Sequence, residues 1–316
     1  MKKKLKKLLR DPKLFVRDMF TNKARVIKGK FPKKLDASQK YTVISAVYNV
    51  SQYLEEYFNS LVKQRLDFRR NIQVILVDDG STDESAEIIR RWQKKYPENI
   101  KYLKKKNGGQ ASARNFGIDF IETEWVTFID PDDFLDQSYF FEVDQFFVKN
   151  AKKDLQLVSC NFIFYFEDKK QFKDTHPLKY RFSKGNQIVP LSDAGKNIQL
   201  SVNSAFFRRS IIVKDSIQFD ARIKPNFEDA HFVANYFSGI KTGSIGFAEK
   251  AKYYYRKRED GTSTLDTAWK KEGLFGDVLE HGCLQMLKRY SENNGQVPPF
   301  IQRTVLYHLI WYIKRL

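Results

Sequence analysis

Between Tyr41 and Asp136 the chain alternates short apolar runs with longer stretches of helical spacing. The run "YTVISAVYN" is β-rich and predicts a buried strand, and "SQYLEEYFNSLVKQ" after it carries its apolar residues at helical intervals. "IQVILVDDG" predicts a second buried strand, and "STDESAEIIRRWQKKY" predicts a helix opening on a capping box of Ser81 and Glu84. A strand over "IKYLKK", a helix over "GQASARNFGIDFIE" and a strand over "EWVTFID" continue the pattern. Strands alternating with helices of this length predict an α/β, Rossmann-like, mostly parallel sheet flanked by helices. In such sheets ligands sit at the carboxyl ends of the strands. Asn49, Asp78, Asp79, Asp130 and Asp132 all fall at strand ends, so three polar clusters are expected on one rim.

Beyond Asp136 the pattern loosens. "LQLVSCNFIFYF" predicts one or two strands, residues 167–200 are polar and turn-rich, "FEDAHFVANYF" has helical spacing, and "KAKYYYRKRE" predicts a strand. From about Thr267 to Leu316 the spacing is helical. The last stretch, "TVLYHLIWYIKRL", is apolar on most sides, so it either packs on the domain or belongs to a longer parent chain. The resulting division is a basic amphipathic N-terminal arm at 1–36, a catalytic domain at 37–255 with a nucleotide-binding half (40–136) and an acceptor half (137–255), and a C-terminal helical segment at 256–316.

Charge changes the picture at the N-terminus. The chain of 316 residues carries +18, yet residues 1–34 hold fourteen Lys/Arg against Asp11 and Asp18, a net of +12. Leu5, Leu8 and Leu9 share one helical face, and Asp11-Pro12 opens a second short helix carrying Leu14, Phe15, Met19 and Phe20. Apolar stripes bordered by cations suit an anionic membrane surface; a solvated basic arm and a nucleic-acid contact are the alternatives. No apolar run reaches the roughly 18 residues of a membrane span, and the start lacks the apolar core of a signal peptide. Two cysteines make a disulfide framework unexpected. These features give the expectation of a cytoplasmic protein, peripheral at the inner face of a bacterial plasma membrane, with no nucleic-acid partner.

The chemistry gathers in "FIDPDDFLD", where Asp130, Asp132, Asp133 and Asp136 follow one apolar run. Like charges this close raise one another's pKa. A hard divalent cation, Mg²⁺ or Mn²⁺, binds oxygen ligands of this kind together with substrate phosphates, and it would supply the missing positive charge. Turn and helix-cap chemistry is the plainer reading of Asp-Pro-Asp-Asp. Asp78 and Asp79 also follow a strand, and Ser81 or Asp83 already offers a cap, which leaves two carboxylates over. Gly108-Gly109 enters a helix just after a run of lysines, a start that favours phosphate or is an ordinary turn; Arg114 sits one turn further on.

Taken in this order and spacing, "VISAVYN", "ILVDDGSTD", "NGGQASARNFGI" and "FIDPDDFL" resemble family 2 glycosyltransferases of the GT-A fold, of the bacterial type that builds capsule, teichoic-acid-like or lipopolysaccharide glycans. The resemblance covers about residues 40–140, extends more loosely to "NFEDAHFVANYF" and "YYYRKREDGTST", and leaves out the arm and the last fifty residues. It implies an inverting, metal-dependent transferase that moves a sugar from a nucleotide-sugar donor, most often UDP-linked, to a hydroxyl of a glycan or lipid-linked glycan acceptor. It implies that Ala46, Tyr48 and Asn49 line the nucleotide pocket, that Asp79 reads the base, and that Gly108, Gly109 and Arg114 border the nucleotide and its pyrophosphate. Asp130 would lie near the ribose, Asp132 would bind Mn²⁺ or Mg²⁺, and Asp229 would be the catalytic base. His231 is expected to be structural, and Arg256, Lys257 and Arg258 either close over the phosphates or form a solvated strand. A sugar-phosphate nucleotidyltransferase would need a glycine-rich basic signature near the first strand, which "SAVYNVSQ" lacks; a non-enzymatic basic nucleic-acid- or membrane-binding protein is the other alternative.

Overall fold

The alternation of apolar runs becomes β1 (Tyr41–Val47), α1 (Ser51–Val62), α2 (Phe68–Asn71), β2 (Ile72–Asp78), α3 (Ser85–Lys95), β3 (Ile100–Lys104), α4 (Gln110–Ile118) and β4 (Trp125–Phe128). The structure is a computed structural model that describes residues 34–258 and 267–315. The two helices expected in the arm lie outside the described residues. β1 pairs in parallel with both β2 and β4, and β2 with β3. Alternate residues of these strands serve opposite faces. Val43, Val47, Val74 and Leu76 pack with Leu54, Phe58, Ile89 and Trp92 of α1 and α3. Ile44, Ile75 and Val77 pack on the other face with Ala113 of α4 and Phe232 and Val233 further along the chain. Burial on both faces explains why these strands read as unbroken apolar runs.

One local expectation changes. The helix after β2 begins at Ser85, and the capping box of Ser81 and Glu84 does not form. The Asn49 amide N–H donates to Ser81 Oγ at 3.2 Å, which draws Ser81 to the β1 loop. Asp83 takes over at two helix starts, accepting from the Ser85 amide at 3.0 Å and from the Ser51 amide at 2.9 Å. One aspartate therefore satisfies orphan amides of α1 and α3 together.

The second half continues with β5 (Phe134–Leu135), α5 (Tyr139–Lys149), β6 (Leu155–Phe166), β7 (Gln171–Lys173), β8 (Gln187–Pro190), β9 (Ala205–Arg208), α6 (Arg209–Lys214), α7 (Glu228–Ser238), β10 (Ser244–Lys257), α8 (Gln285–Asn294) and α9 (Pro299–Ile313). The main sheet order is β3-β2-β1-β4-β9-β6-β10-β5, with β7 on β6 and β8 on β10. The expected parallel run thus fills one half. The short strand β9 joins antiparallel to β4 and to β6, and turns the other half into a mixed sheet. "LQLVSCNFIFYF" is one long strand. β10 runs parallel to it, with a register break between Ala248 and Lys252 that lets its end pair with β5. The C-terminal segment packs on the domain, since Leu274, Met286, Ile301 and Val305 join the core around α7.

Candidate active site

The strand ends of β1, β2 and β4 bring the expected residues to one rim. Asn49 sits at φ 51°, and its side-chain oxygen accepts the Thr82 amide at 2.9 Å, tying the loop after β1 to the loop after β2. Ala46 lies beside Val77 in the ladder, and Tyr48 is exposed at the edge. Asp78 is buried; it accepts the Ser81 amide at 2.7 Å and the Tyr102 hydroxyl at 2.6 Å. Asp79 is engaged within the protein. Its oxygens accept the Gly108 amide at 3.0 Å, the Gly109 amide at 2.6 Å and Lys105 Nζ at 2.7 Å. Asp79 anchors the glycine turn. Gly109 holds φ +87°, a conformation glycine adopts at no steric cost.

Arg114 is the centre of the site. Its side chain is 2% exposed, and it joins three elements. One terminal nitrogen meets Asp229 at 2.7 Å and lies 3.8 Å from Glu228; the other meets Asp130 at 2.8 Å and Asn203 at 3.2 Å. The guanidinium also lies over the Phe219 ring. Asn203 donates in turn to the second oxygen of Asp130 at 2.6 Å. Gln110 donates to Asp130 at 3.0 Å. The second oxygen of Asp229 accepts the Val202 amide at 3.1 Å. Burial pushes the Asp229 carboxyl up, while Arg114 pulls it down and Asp130 adds a smaller upward push. Arg114 thus sits buried between Asp130 and Asp229.

Glu228 shows what happens without so close a partner. Burial, followed by its neighbour Asp229, pushes its carboxyl up to about 8. The folded protein then keeps a proton that the unfolded chain releases above the ordinary carboxylate range, so stability falls as pH rises towards 8. Glu228→Gln is therefore expected to raise the melting temperature more at pH 8 than at pH 5. Equal gains at the two pH values would remove this account.

The aspartates after β4 form a second cluster. Oxygens of Asp130, Asp132 and Asp133 lie within 4.8 Å of one another. Asp133 is buried and already engaged, accepting the Tyr253 hydroxyl at 2.5 Å and the Arg256 amide at 2.8 Å. Asp132 is partly open, and its Oδ2 accepts Arg258 Nη2 at 2.6 Å. Burial and then Asp130 push the Asp132 carboxyl up, and Arg258 only partly offsets them. An oxygen-only donor set short of positive charge fits a hard divalent cation at Asp132, with Asp130 beside it. Arg256 does not face this opening. It is buried, paired with Glu56 and with Glu167 at 2.9 Å, and donates to the Asp132 carbonyl. His231 is buried beside Asn235, and burial lowers its pKa to about 4.

Asn203 and Tyr253 escaped the sequence reading. Asn203 precedes a four-residue strand without a motif of its own. Tyr253 reads as one of three successive tyrosines, and nothing in the sequence tells which of them turns inward. Arg258 had a signal in the basic run Arg256-Lys257-Arg258, though not its partner.

The sheet and its polar rim have the GT-A fold. The profile described as glycosyl transferase family 2 matches residues 42–214, more than half of the chain, and the protein belongs to that family. It is 34% identical over 271 residues to the minor teichoic acid biosynthesis protein GgaB of Bacillus subtilis (strain 168), across 86% of this chain and 29% of that protein. The chain therefore spans less than a third of GgaB. Its fold matches residues 1–349 of S. aureus TarS in complex with UDP-GlcNAc, with a TM-score of 0.61 at 22% identity over 85% of this chain and 79% of that one. It also matches the mannosyltransferase PcManGT of Pyrobaculum calidifontis in complex with GDP-Man and Mn²⁺, with a TM-score of 0.58 at 18% identity over 89% and 74% of the two chains.

Proposed function

We propose that the protein is an inverting, divalent-metal-dependent transferase that moves a sugar from a UDP-linked donor to a hydroxyl of a teichoic-acid-type surface glycan. The observation that carries this reading is the Arg114 bridge, which sets Asp229 one guanidinium away from Asp130. The likeness to GgaB supports the acceptor class, and the likeness to TarS bound to UDP-GlcNAc supports the donor. Asp130 and Asn203 would meet the ribose, and the glycine turn anchored by Asp79 would border the pyrophosphate at the start of α4. Asp229 would take the proton from the acceptor hydroxyl as that oxygen attacks the anomeric carbon from the face opposite the nucleotide. The carbon–oxygen bond to the diphosphate breaks as the new one forms, so the anomeric configuration inverts without a covalent enzyme intermediate. A divalent cation at Asp132, when bound, supplies the positive charge that the diphosphate leaving group needs.

A panel of nucleotide sugars scored by thermal shift with and without Mn²⁺ tests the donor reading. A ligand at 100 times its Kd stabilises by about 2.7 kcal/mol. UDP-linked donors are expected to raise the melting temperature only with the metal; no shift with any UDP-sugar would remove the reading.

Residues 1–34, with their +12 of charge, would hold the enzyme to an anionic membrane surface. Among the described residues no helix is long and apolar enough to cross a membrane. Each basic residue at such a surface contributes about 1 kcal/mol. Deleting the arm is expected to release the protein from anionic liposomes at low salt while leaving donor hydrolysis unchanged; a full chain that ignores such liposomes would sink the idea.

A further inference from the structure

The paired strands β6 and β10 carry a line of aromatic rings on one face, running out from the aspartate cluster. In the ladder Tyr253 stands beside Phe162, Tyr255 beside Phe164 and Lys257 beside Phe166. Alternate residues of a strand share a face. The line begins at Tyr253, whose hydroxyl donates to Asp133. The Tyr253 ring stacks on Phe162 at 5.6 Å, and Phe162 stacks on Tyr255 at 5.1 Å. Phe164 continues the line at 6.0 Å from Tyr255, and Phe166 lies 6.5 Å beyond Phe164. Tyr253 and Phe162 are buried, whereas Tyr255, Phe164 and Phe166 are half-buried. The His176 ring lies 4.9 Å from Phe162, and from Tyr255 to Lys257 the open part of the strand covers about 7 Å, roughly one polymer unit.

Two lysines complete this face. Lys173 of β7 pairs opposite Phe164 in the ladder, and its ammonium sits 5.0 Å from the Phe166 ring centre. Lys257 sits 5.4 Å from Phe164 and 5.2 Å from Tyr255. Among the described residues, both cations stand over rings rather than on carboxylates. A half-open aromatic surface with cations standing along it suits a chain that alternates hydroxylated carbon units with phosphates. The C–H faces of the carbon units lie on rings, and the phosphates meet ammonium groups. A neutral glycan would use the rings and leave the lysines idle. A nucleic acid is less well matched, because the rings lie against one another and leave no slot for a base to enter.

We propose that this face of β6, β7 and β10 is the track on which a polyol-phosphate or sugar-phosphate acceptor polymer lies as its hydroxyl reaches Asp229. The proposal rests on the transferase reading above, and it names the surface for the rest of the acceptor.

The test measures binding of poly(glycerol phosphate) to the full chain by calorimetry without donor, with dextran as a neutral control. The variants are Lys173→Glu, at an exposed position, and Phe166→Ala. Reversing the lysine removes one exposed pair and adds a repulsion of similar size, so affinity is expected to fall about ten-fold. Phe166→Ala is expected to weaken the polymer by a similar factor, and Kd for UDP with Mn²⁺ should match the parent's in both variants. The basic arm is common to parent and variants, so the difference reports this face alone. Polymer affinity equal to the parent's in both variants, or dextran binding as tightly as the polymer, overturns the track. Failure of UDP-sugars to bind, with the variant difference intact, removes the transferase reading and leaves the surface standing.

Discussion

Asp229→Asn is expected to lower the transfer rate by on the order of 10²- to 10⁴-fold, the usual worth of a general base. Asparagine keeps the size of the side chain and one oxygen, which can accept from Arg114 or from the Val202 amide, met by Asp229 at 2.7 Å and 3.1 Å through separate oxygens, but not from both. It cannot take up the acceptor proton. UDP affinity should remain near the parent's, because the proposed donor contacts lie with Asp130, Asp132 and the glycine turn, while the melting temperature should fall with the lost buried pairing to Arg114. The pH dependence follows the same logic. Burial raises the Asp229 carboxyl and Arg114 opposes it, so the rate should fall as pH drops through the pKa of the folded state. Arg114 is 2% exposed at its side chain, and removing it leaves buried carboxylates without their cation, a loss of several kcal/mol. A variant there would therefore report on folding and chemistry together, which makes Asp229 the cleaner substitution. An Asn variant that transfers sugar at a near-parent rate, whatever its stability, removes Asp229 from the mechanism.

Asp132→Ala should abolish most metal-dependent affinity for UDP. Altering the outer partners of a metal ligand already costs about 10- to 100-fold, so losing the ligand itself should cost at least about 100-fold in Kd measured with Mn²⁺. Arg258 gives the experiment a second arm. In the parent its guanidinium is held on Asp132 Oδ2 at 2.6 Å. Without metal, the alanine variant has one carboxylate fewer to repel a diphosphate and an arginine no longer held on Asp132. UDP affinity in chelator should then equal or exceed the parent's. Calorimetry that gives parent and variant the same Kd in Mn²⁺ would assign the metal elsewhere.

The nucleotide half was legible because its signals are local. Each of β1, β2 and β4 is an apolar run ending in a polar cluster, and the helices between them carry their apolar residues at helical spacing. The converging rim of Asn49, Asp79 and Asp130 followed from that alone. The acceptor half depends on pairings far apart in the chain. β9 is four residues long, lies between α7 and the polar segment in no periodic pattern, and exists because β4 and β6 both offer it edges. Asn203, placed by that strand, was invisible for the same reason. Ser81 shows the converse. Its spacing to Glu84 satisfies a local rule, yet the amide of Asn49, contributed by another loop, takes its hydroxyl. The partners of Arg114 belong to the same class. The sequence placed Arg114 near an anion, and the fold sets it on Asp130 and Asp229.

Asp79 has an implication for how this enzyme could change over evolutionary time. Its carboxylate fastens the Gly108-Gly109 turn and Lys105, and by the family resemblance the same carboxylate faces the nucleobase. One side chain would then hold two jobs that selection cannot adjust separately. An exchange that altered base preference would also unfasten the turn proposed to border the pyrophosphate. A lineage drifting towards another nucleotide would have to leave Asp79 in place and vary its neighbours instead. Tyr48 is exposed at the rim. Donor preference in close relatives is thus expected to follow the residue at position 48 while position 79 stays fixed.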